Sequence, residues 1–280
     1  MPAIRAGYRR SMTDTFTPRH AIVTASDSGI GAATAIALAE AGMDVGITWH
    51  SDQDGAEATA EAVRARGARA VVMQFDATDL EGAPKVIDAL ADELGGVDVF
   101  VNNAGGGTGG PFLDIELEEW RKIVSLNLDG AFVGMQAAAR RMVTAGRGGR
   151  IIAITSVHEH QPRVGSSPYV ASKHGLGGLV KTMALELGQH GITVNSLGPG
   201  EIATPINDMD AEDAETTHRA GIPLGRPGTP DEIAAVAVLL ASAATSYVTG
   251  ASWVIDGGML QMGPQAGSHL TSDDWRSAGD

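Results

Sequence analysis

At 280 residues with a net charge of −14, the chain is long enough for one large α/β domain and too acidic for a nucleic-acid partner. It is 43% hydrophobic with 37 glycines, yet no run reaches the roughly 18–20 apolar residues of a membrane span, and no apolar signal segment follows the arginines of residues 1–20. With no cysteine there is neither a disulfide nor a thiolate metal site, and a cytoplasmic location is expected.

Residues 1–19 show no periodicity and read as a disordered leader, with Met12 as an alternative start. Residues 20–25 are the first expected strand, and the turn from Ser26 to Gly31 opens an Ala-rich helix ending near Gly42. A strand at 44–49, a helix at 53–66 closed by Gly67, and a strand at 70–75 follow. Asp79 is placed to cap a helix running to residue 94. The strand at 97–101 ends in Asn102-Asn103-Ala104-Gly105 and a glycine loop at 106–110. A long helix is expected over about 117–145, then an apolar strand from Ile151 ending at Ser156, and a helix from Pro168 to His190. A strand at 193–197, an irregular acidic connection at 201–227 read as a substrate lid, a helix at 230–244 and a strand at 252–255 complete the domain, taken as residues 20–262 with a tail at 263–280. Strand–helix alternation with short links predicts a single doubly wound parallel sheet of about seven strands with helices on both faces.

The chemistry centres on Ser156 at a strand's carboxyl end and on Tyr169 and Lys173, four apart on one helical face. A free tyrosine titrates near pH 10, and an ammonium beside it favours the phenolate. A serine hydroxyl in reach can hold a substrate oxygen while the tyrosine gives or takes its proton. Gly29-Ile30-Gly31 at a strand-to-helix turn is a phosphate-binding device, since small residues admit a pyrophosphate to the helix N-terminus.

Taken in order, Thr24-x-x-x-x-Gly29-Ile30-Gly31, Asn102-Asn103-Ala104-Gly105, Asn127 in Asn-Leu-Asp-Gly, Ser156, Tyr169-x-x-x-Lys173 and Pro199-Gly200 resemble the short-chain dehydrogenase/reductase family over residues 20–258. The resemblance implies a Rossmann-like sheet, a nicotinamide dinucleotide, and an oxidoreductase acting on a small carbonyl or secondary alcohol. It makes Tyr169 the general acid/base and Lys173 the residue that stabilises its phenolate and holds the nicotinamide ribose. Ser156 would orient the reacting oxygen, and Asn127 would anchor a water in a proton relay. It places Thr24, Ser26, Ser28, Gly29, Ile30 and Gly31 at the phosphates. Asp76 and Ala77 fall at the adenine, with Asn103, Ala104 and Gly105 at the adenosine ribose. Pro199, Gly200, Ile202 and Thr204 line the nicotinamide side.

Family members that prefer NAD carry an acid at the end of the second strand. Here Trp49, His50 and Ser51 stand there, so NADP is expected, with NAD the alternative. Ala25 replaces a usual glycine and is expected at negative φ, with Asp27 turned to solvent or capping the helix. The stretch Ser156-Val157-His158-Glu159, with Pro205-Ile206-Asn207 and Ser246-Tyr247, resembles the glucose 1-dehydrogenase branch. That implies a sugar or polyol, with His158 as a donor and Glu159 as an acceptor in the pocket wall. His158-x-His160 lacks a third ligand, so no metal is expected. The rival readings are a ketoacyl-thioester reductase and a catalytically silent dinucleotide-binding sensor. Small and apolar residues at Met135, Ala138, Ala139, Met142, Gly175 and Gly178 suggest helices with two partners, hence a homotetramer.

Overall fold

The computed structural model describes residues 16–107 and 109–262. The strands β1 (His20–Val23), β2 (Asp44–Trp49), β3 (Ala70–Gln74), β4 (Val99–Asn102), β5 (Gly149–Ile154), β6 (Ile192–Pro199) and β7 (Ser252–Ile255) form one sheet. All pairs are parallel, in the order β3-β2-β1-β4-β5-β6-β7. The order reverses between β1 and β4, which opens a crevice outside their carboxyl ends. The expected doubly wound, Rossmann-like fold is therefore present.

Two apolar layers cover the sheet. On one face Ile22, Phe100 and Ile151 pack with Ile87, Leu90, Met135 and Leu176 of α3 (Ala83–Leu94), α5 (Gly130–Ala145) and α6 (Ser167–Leu187). On the other, Val23, Val45, Val101 and Leu197 pack with residues of α1 (Gly29–Glu40), α2 (Gln53–Ala65) and α8 (Pro230–Ala241). Strands buried on both faces explain their unbroken apolar runs. Helix α8 starts where Thr229 and Glu232 form a capping box, with Pro230 in its first turn.

Several details differ from expectation. The long helix expected over 117–145 is present with those bounds, as α4 (Leu117–Val124) and α5, and the unexpected feature is the π-helical turn at Ser125–Asp129 that joins them. Such turns rotate side chains out of regular register, and this one contains Asn127. Helix α3 begins at Ala83 because the Asp79 carboxylate bonds the N–H groups of Glu81 and Gly82 in the turn before it. The connection at 201–227 contains a 3-10 turn at Pro205–Asn207 and α7 (Ala211–Thr216), and is tied down by Arg219 on Glu201. Met135, Ala138, Ala139 and Met142 are buried in this chain's own core, so they do not offer a second face to a partner.

Of the expected leader, residues 16–19 are fastened to the sheet. Arg150 lies over the Phe16 ring, and the Arg19 N–H donates to Asp98 at 2.9 Å. Residues 1–15, including Met12, and the expected tail at 263–280 lie outside the described residues. Among the described residues no helix is long and apolar enough to cross a membrane.

Candidate active site

A cavity of about 1890 Å³ opens at the carboxyl ends of the central strands. Of the residues expected at the cofactor, Ser28, Gly29, Ile30, Ser51, Asn103 and Gly105 line one end of it, and Pro199, Gly200, Ile202 and Thr204 another wall. Thr24 sits beneath rather than in it: its hydroxyl accepts the N–H groups of Asn103 and Ala104, both at 2.9 Å, joining the turns after β1 and β4. Ser26 is also structural. Its hydroxyl donates to the Val23 carbonyl at 2.8 Å and accepts the Thr48 N–H at 3.0 Å, so no donor remains for a phosphate. Gly31 lets α1 approach the turn, since a β-carbon there would overlap the Ala25 carbonyl.

Ala25 adopts φ +49°, against the expected negative value. Its N–H is held by Thr48 Oγ1 at 2.9 Å and its carbonyl by Asn103 Nδ2 at 2.8 Å, so both neighbours enforce the left-handed conformation. Asp27 neither caps α1 nor turns wholly to solvent. The N-cap is Ser28, without a side-chain cap bond, and Asp27 lines the cavity half-buried. Burial, and to a lesser degree the Asp52 carboxylate, push its carboxyl above the ordinary value. His50 is exposed, with Nε2 3.8 Å from Asp76 Oδ2. The Asp76 carboxyl is held below its ordinary value, chiefly by the Thr78 hydroxyl at 2.7 Å and N–H at 2.8 Å. Trp49 is half-buried against the core and Ala77 is buried; neither lines the cavity.

Elements β5 and α6 bring together the residues expected to react. Ser156 follows β5 in extended backbone and caps a 3-10 turn, Val157–Glu159, its Oγ accepting the His158 N–H at 3.1 Å. Tyr169 and Lys173 stand on the first turns of α6, which Pro168 helps to open. Lys173 is buried, donates to the Ile154 carbonyl at 3.1 Å, and its Nζ lies 5.5 Å from the Tyr169 ring centroid. Ser156, Tyr169 and Lys173 all line the cavity. Asn127 does not; it is fully buried and bonds both backbone groups of Gly106 and the Ser172 hydroxyl.

At the substrate end, His158 lines the cavity and meets the Tyr169 ring edge-on, with centroids 6.1 Å apart. Its Nδ1 lies 2.9 Å from the Gln161 carbonyl, which can only accept. Nδ1 therefore carries a proton, and Nε2 is the ring's remaining polar atom. Glu159 does not line the cavity. It is buried, with Thr155, Ser196 and Ser252 hydroxyls around one carboxylate oxygen. His160 turns to Ser252 Oγ at 2.8 Å, so the two histidines serve different partners. Among the described residues no cluster of three metal-ligating side chains occurs. Gln161, Arg163 and Ser166 line the cavity without having been singled out, since the loop at 161–166 carries no motif, and Met259 joins them from beyond β7.

A family model described as enoyl-(acyl carrier protein) reductase matches residues 24–260. The uncharacterized oxidoreductase YohF of Escherichia coli (strain K12) is 51% identical over 245 residues, 88% of this chain and 97% of its own. The crystal structure of acetoin dehydrogenase YohF from Salmonella typhimurium matches at TM-score 0.85 and 50% identity, covering 89% of this chain and 98% of that one. The chain belongs to the short-chain dehydrogenase/reductase family. Sugar dehydrogenases stand among its relatives in that family. L-rhamnose 1-dehydrogenase (NAD(P)(+)) of Azotobacter vinelandii is 43% identical, covering 85% of this chain and 95% of its own. Glucose 1-dehydrogenase 2 of Bacillus subtilis is 37% identical, covering 87% and 95%.

As a short-chain dehydrogenase/reductase the protein is an NAD(P)-dependent oxidoreductase; solved neighbours carry NAD in one case and NADP in another. The site fits such a group. The N-terminus of α1 faces an open cleft floored by Gly29, and a buried ammonium stands at its other end.

Proposed function

We propose that the protein interconverts a small secondary alcohol and its carbonyl, with Tyr169 as the general acid/base. The convergence of Ser156, Tyr169 and Lys173 on one cavity wall carries this reading. The bound dinucleotide would supply or take the hydride. In reduction Tyr169 gives its phenolic proton to the carbonyl oxygen, which Ser156 Oγ holds by a hydrogen bond; in oxidation both moves reverse. Lys173 balances the phenolate and reaches the cofactor ribose. Asn127 anchors the Gly106 loop and, through it, a proton route from Lys173. Residues 201–227 act as a lid over the substrate, and their contribution of Ile206, Asn207 and Met209 to the cavity supports this.

NADP(H) is the proposed cofactor, because Trp49, His50 and Ser51 put no carboxylate at the end of β2. Asp27 in the cavity wall, with Asp52 near enough for its charge to act on it, favours NAD(H) as the second reading. The proposed substrate is a small neutral carbonyl bearing a neighbouring hydroxyl: an α-hydroxyketone, as in the name of the solved relative, or a sugar. His158 Nε2 would hydrogen-bond that hydroxyl, and a site built for a hydroxyl penalises an analogue lacking it.

Initial rates by nicotinamide absorbance, with either cofactor over acetoin, butan-2-one, rhamnose, glucose and an acyl thioester, test the reading. Acetoin or a sugar should exceed butan-2-one, and His158→Ala should narrow the gap between acetoin and butan-2-one. An acyl thioester turned over far faster than every hydroxylated compound would overturn the substrate class. A homotetramer working in the cytoplasm is also proposed; exposed Phe112, Leu113, Leu117 and Phe132 before and along α4 and α5 support association. Light scattering showing a monomer at micromolar concentration would contradict it.

A further inference from the structure

Glu159 closes the turn that begins at Ser156, yet its side chain is 3% exposed and takes no part in the cavity. Its Oε2 lies 2.7 Å from Thr155 Oγ1, 3.0 Å from Ser196 Oγ and 3.1 Å from Ser252 Oγ. These hydroxyls stand at the end of β5, on β6 and at the start of β7, so one carboxylate oxygen gathers three adjacent strands. The other oxygen, Oε1, is buried, with no protein hydrogen-bond partner among the described residues. It occupies the space a β-carbon on Gly177 would need. Gly177 is on α6, one turn beyond Lys173 and two beyond Tyr169. The helix that carries the proton donor therefore rests directly on the carboxylate that closes the Ser156 turn.

A side chain packed this closely in the interior transmits any displacement to its neighbours. Here it lies between the two elements whose separation decides whether Ser156 and Tyr169 reach the same substrate oxygen. We propose that Glu159 is a positioning residue: clamped by three sheet hydroxyls, its carboxylate is the spacer that sets the distance between the Ser156 turn and α6, and Gly177 is the seat that receives it. This rests on the proposed roles of Ser156 and Tyr169. Displacements of about 1 Å in such a pair cost on the order of 100-fold in rate.

The test uses the full chain with its nicotinamide cofactor and acetoin, and follows kcat, KM, cofactor Kd by fluorescence, and Tm. Gly177→Ala should lower kcat at least tenfold with cofactor Kd changed less than threefold, because its methyl collides with Oε1. Glu159→Ala should also lower kcat. The double variant should recover kcat relative to Gly177→Ala alone, the methyl filling the space the carboxylate leaves. Variants that lose only Tm at unchanged kcat, or a double variant no better than the product of the singles, would overturn the proposal. Should Glu159→Ala fail to fold, Ser252→Ala removes one clamp: a threefold or greater loss of kcat at unchanged cofactor Kd is expected, and an unchanged kcat overturns. A crystal structure of Gly177→Ala separates this idea from the functional reading. Ser156 Oγ and Tyr169 Oη should lie farther apart than in the parent, whatever the substrate. An unchanged separation overturns the positioning role, whereas a widened one in a protein that turns over no carbonyl strikes only the functional reading.

Discussion

Asn127 grips Gly106 by both backbone groups: its Nδ2 donates to the Gly106 carbonyl at 2.8 Å and its Oδ1 accepts the Gly106 N–H at 2.9 Å. The π turn at Ser125–Asp129 makes this possible by aiming a buried amide at the loop beside the cavity. Removing the amide strands the part-buried N–H and carbonyl of Gly106, with a penalty toward the low end of about 1–3 kcal/mol each. Asn127→Ala is therefore expected to lower stability by about 2 kcal/mol and kcat at least tenfold. Urea unfolding and steady-state kinetics check this; an intact kcat would leave the loop without a role in turnover.

Ala25 at φ +49° carries about 1–2 kcal/mol of strain that glycine would not. Glycine also frees the unfolded chain, which offsets about 0.4–1 kcal/mol. Ala25→Gly should thus stabilise the protein by about 0.5 kcal/mol net, with cofactor affinity retained. Denaturant midpoints at unchanged m-value measure it, and a clear loss of stability would mean the backbone there is not strained.

Asp27 faces the cavity where a phosphate-bearing cofactor would lie, and burial raises its carboxyl pKa. A group raised on folding gives stability that is full below its unfolded pKa and lost as pH rises through the folded one. Asp27→Asn mimics the protonated acid, so at pH 7 it should be more stable than the parent, with the difference fading as pH falls through the acid range. The same substitution should tighten NADP(H) about fivefold at pH 7, the size of a ~1 kcal/mol charge interaction in solvent. Isothermal titration at neutral and acidic pH measures both cofactors; equal gains for NAD(H) and NADP(H) would place Asp27 away from the 2′-phosphate.

The sheet was legible because strands buried on both faces write themselves as apolar runs between glycine turns. That Tyr169, Lys173 and Ser156 share one cavity was legible because an i, i+4 spacing and a strand end place them together. What escaped depends on distant partners. The φ of Ala25 is decided by Thr48 and Asn103, far along the chain. Glu159 reads as a polar loop residue until Ser196 and Ser252 arrive from β6 and β7 to bury it. Ser26 reads as a phosphate ligand until Thr48 claims its hydroxyl. The π turn leaves the helical periodicity of residues 117–145 nearly unchanged, so only the backbone reveals it.

Tyr169 carries the central claim, and replacing its hydroxyl tests that claim most directly. Tyr169→Phe keeps the ring against His158 and Lys173 and removes only the proton that the reaction moves. With acetoin and the preferred cofactor, the variant should lose at least about 100-fold in kcat while binding cofactor as the parent does. Parent-like turnover by Tyr169→Phe would contradict the assignment of Tyr169 as the acid/base.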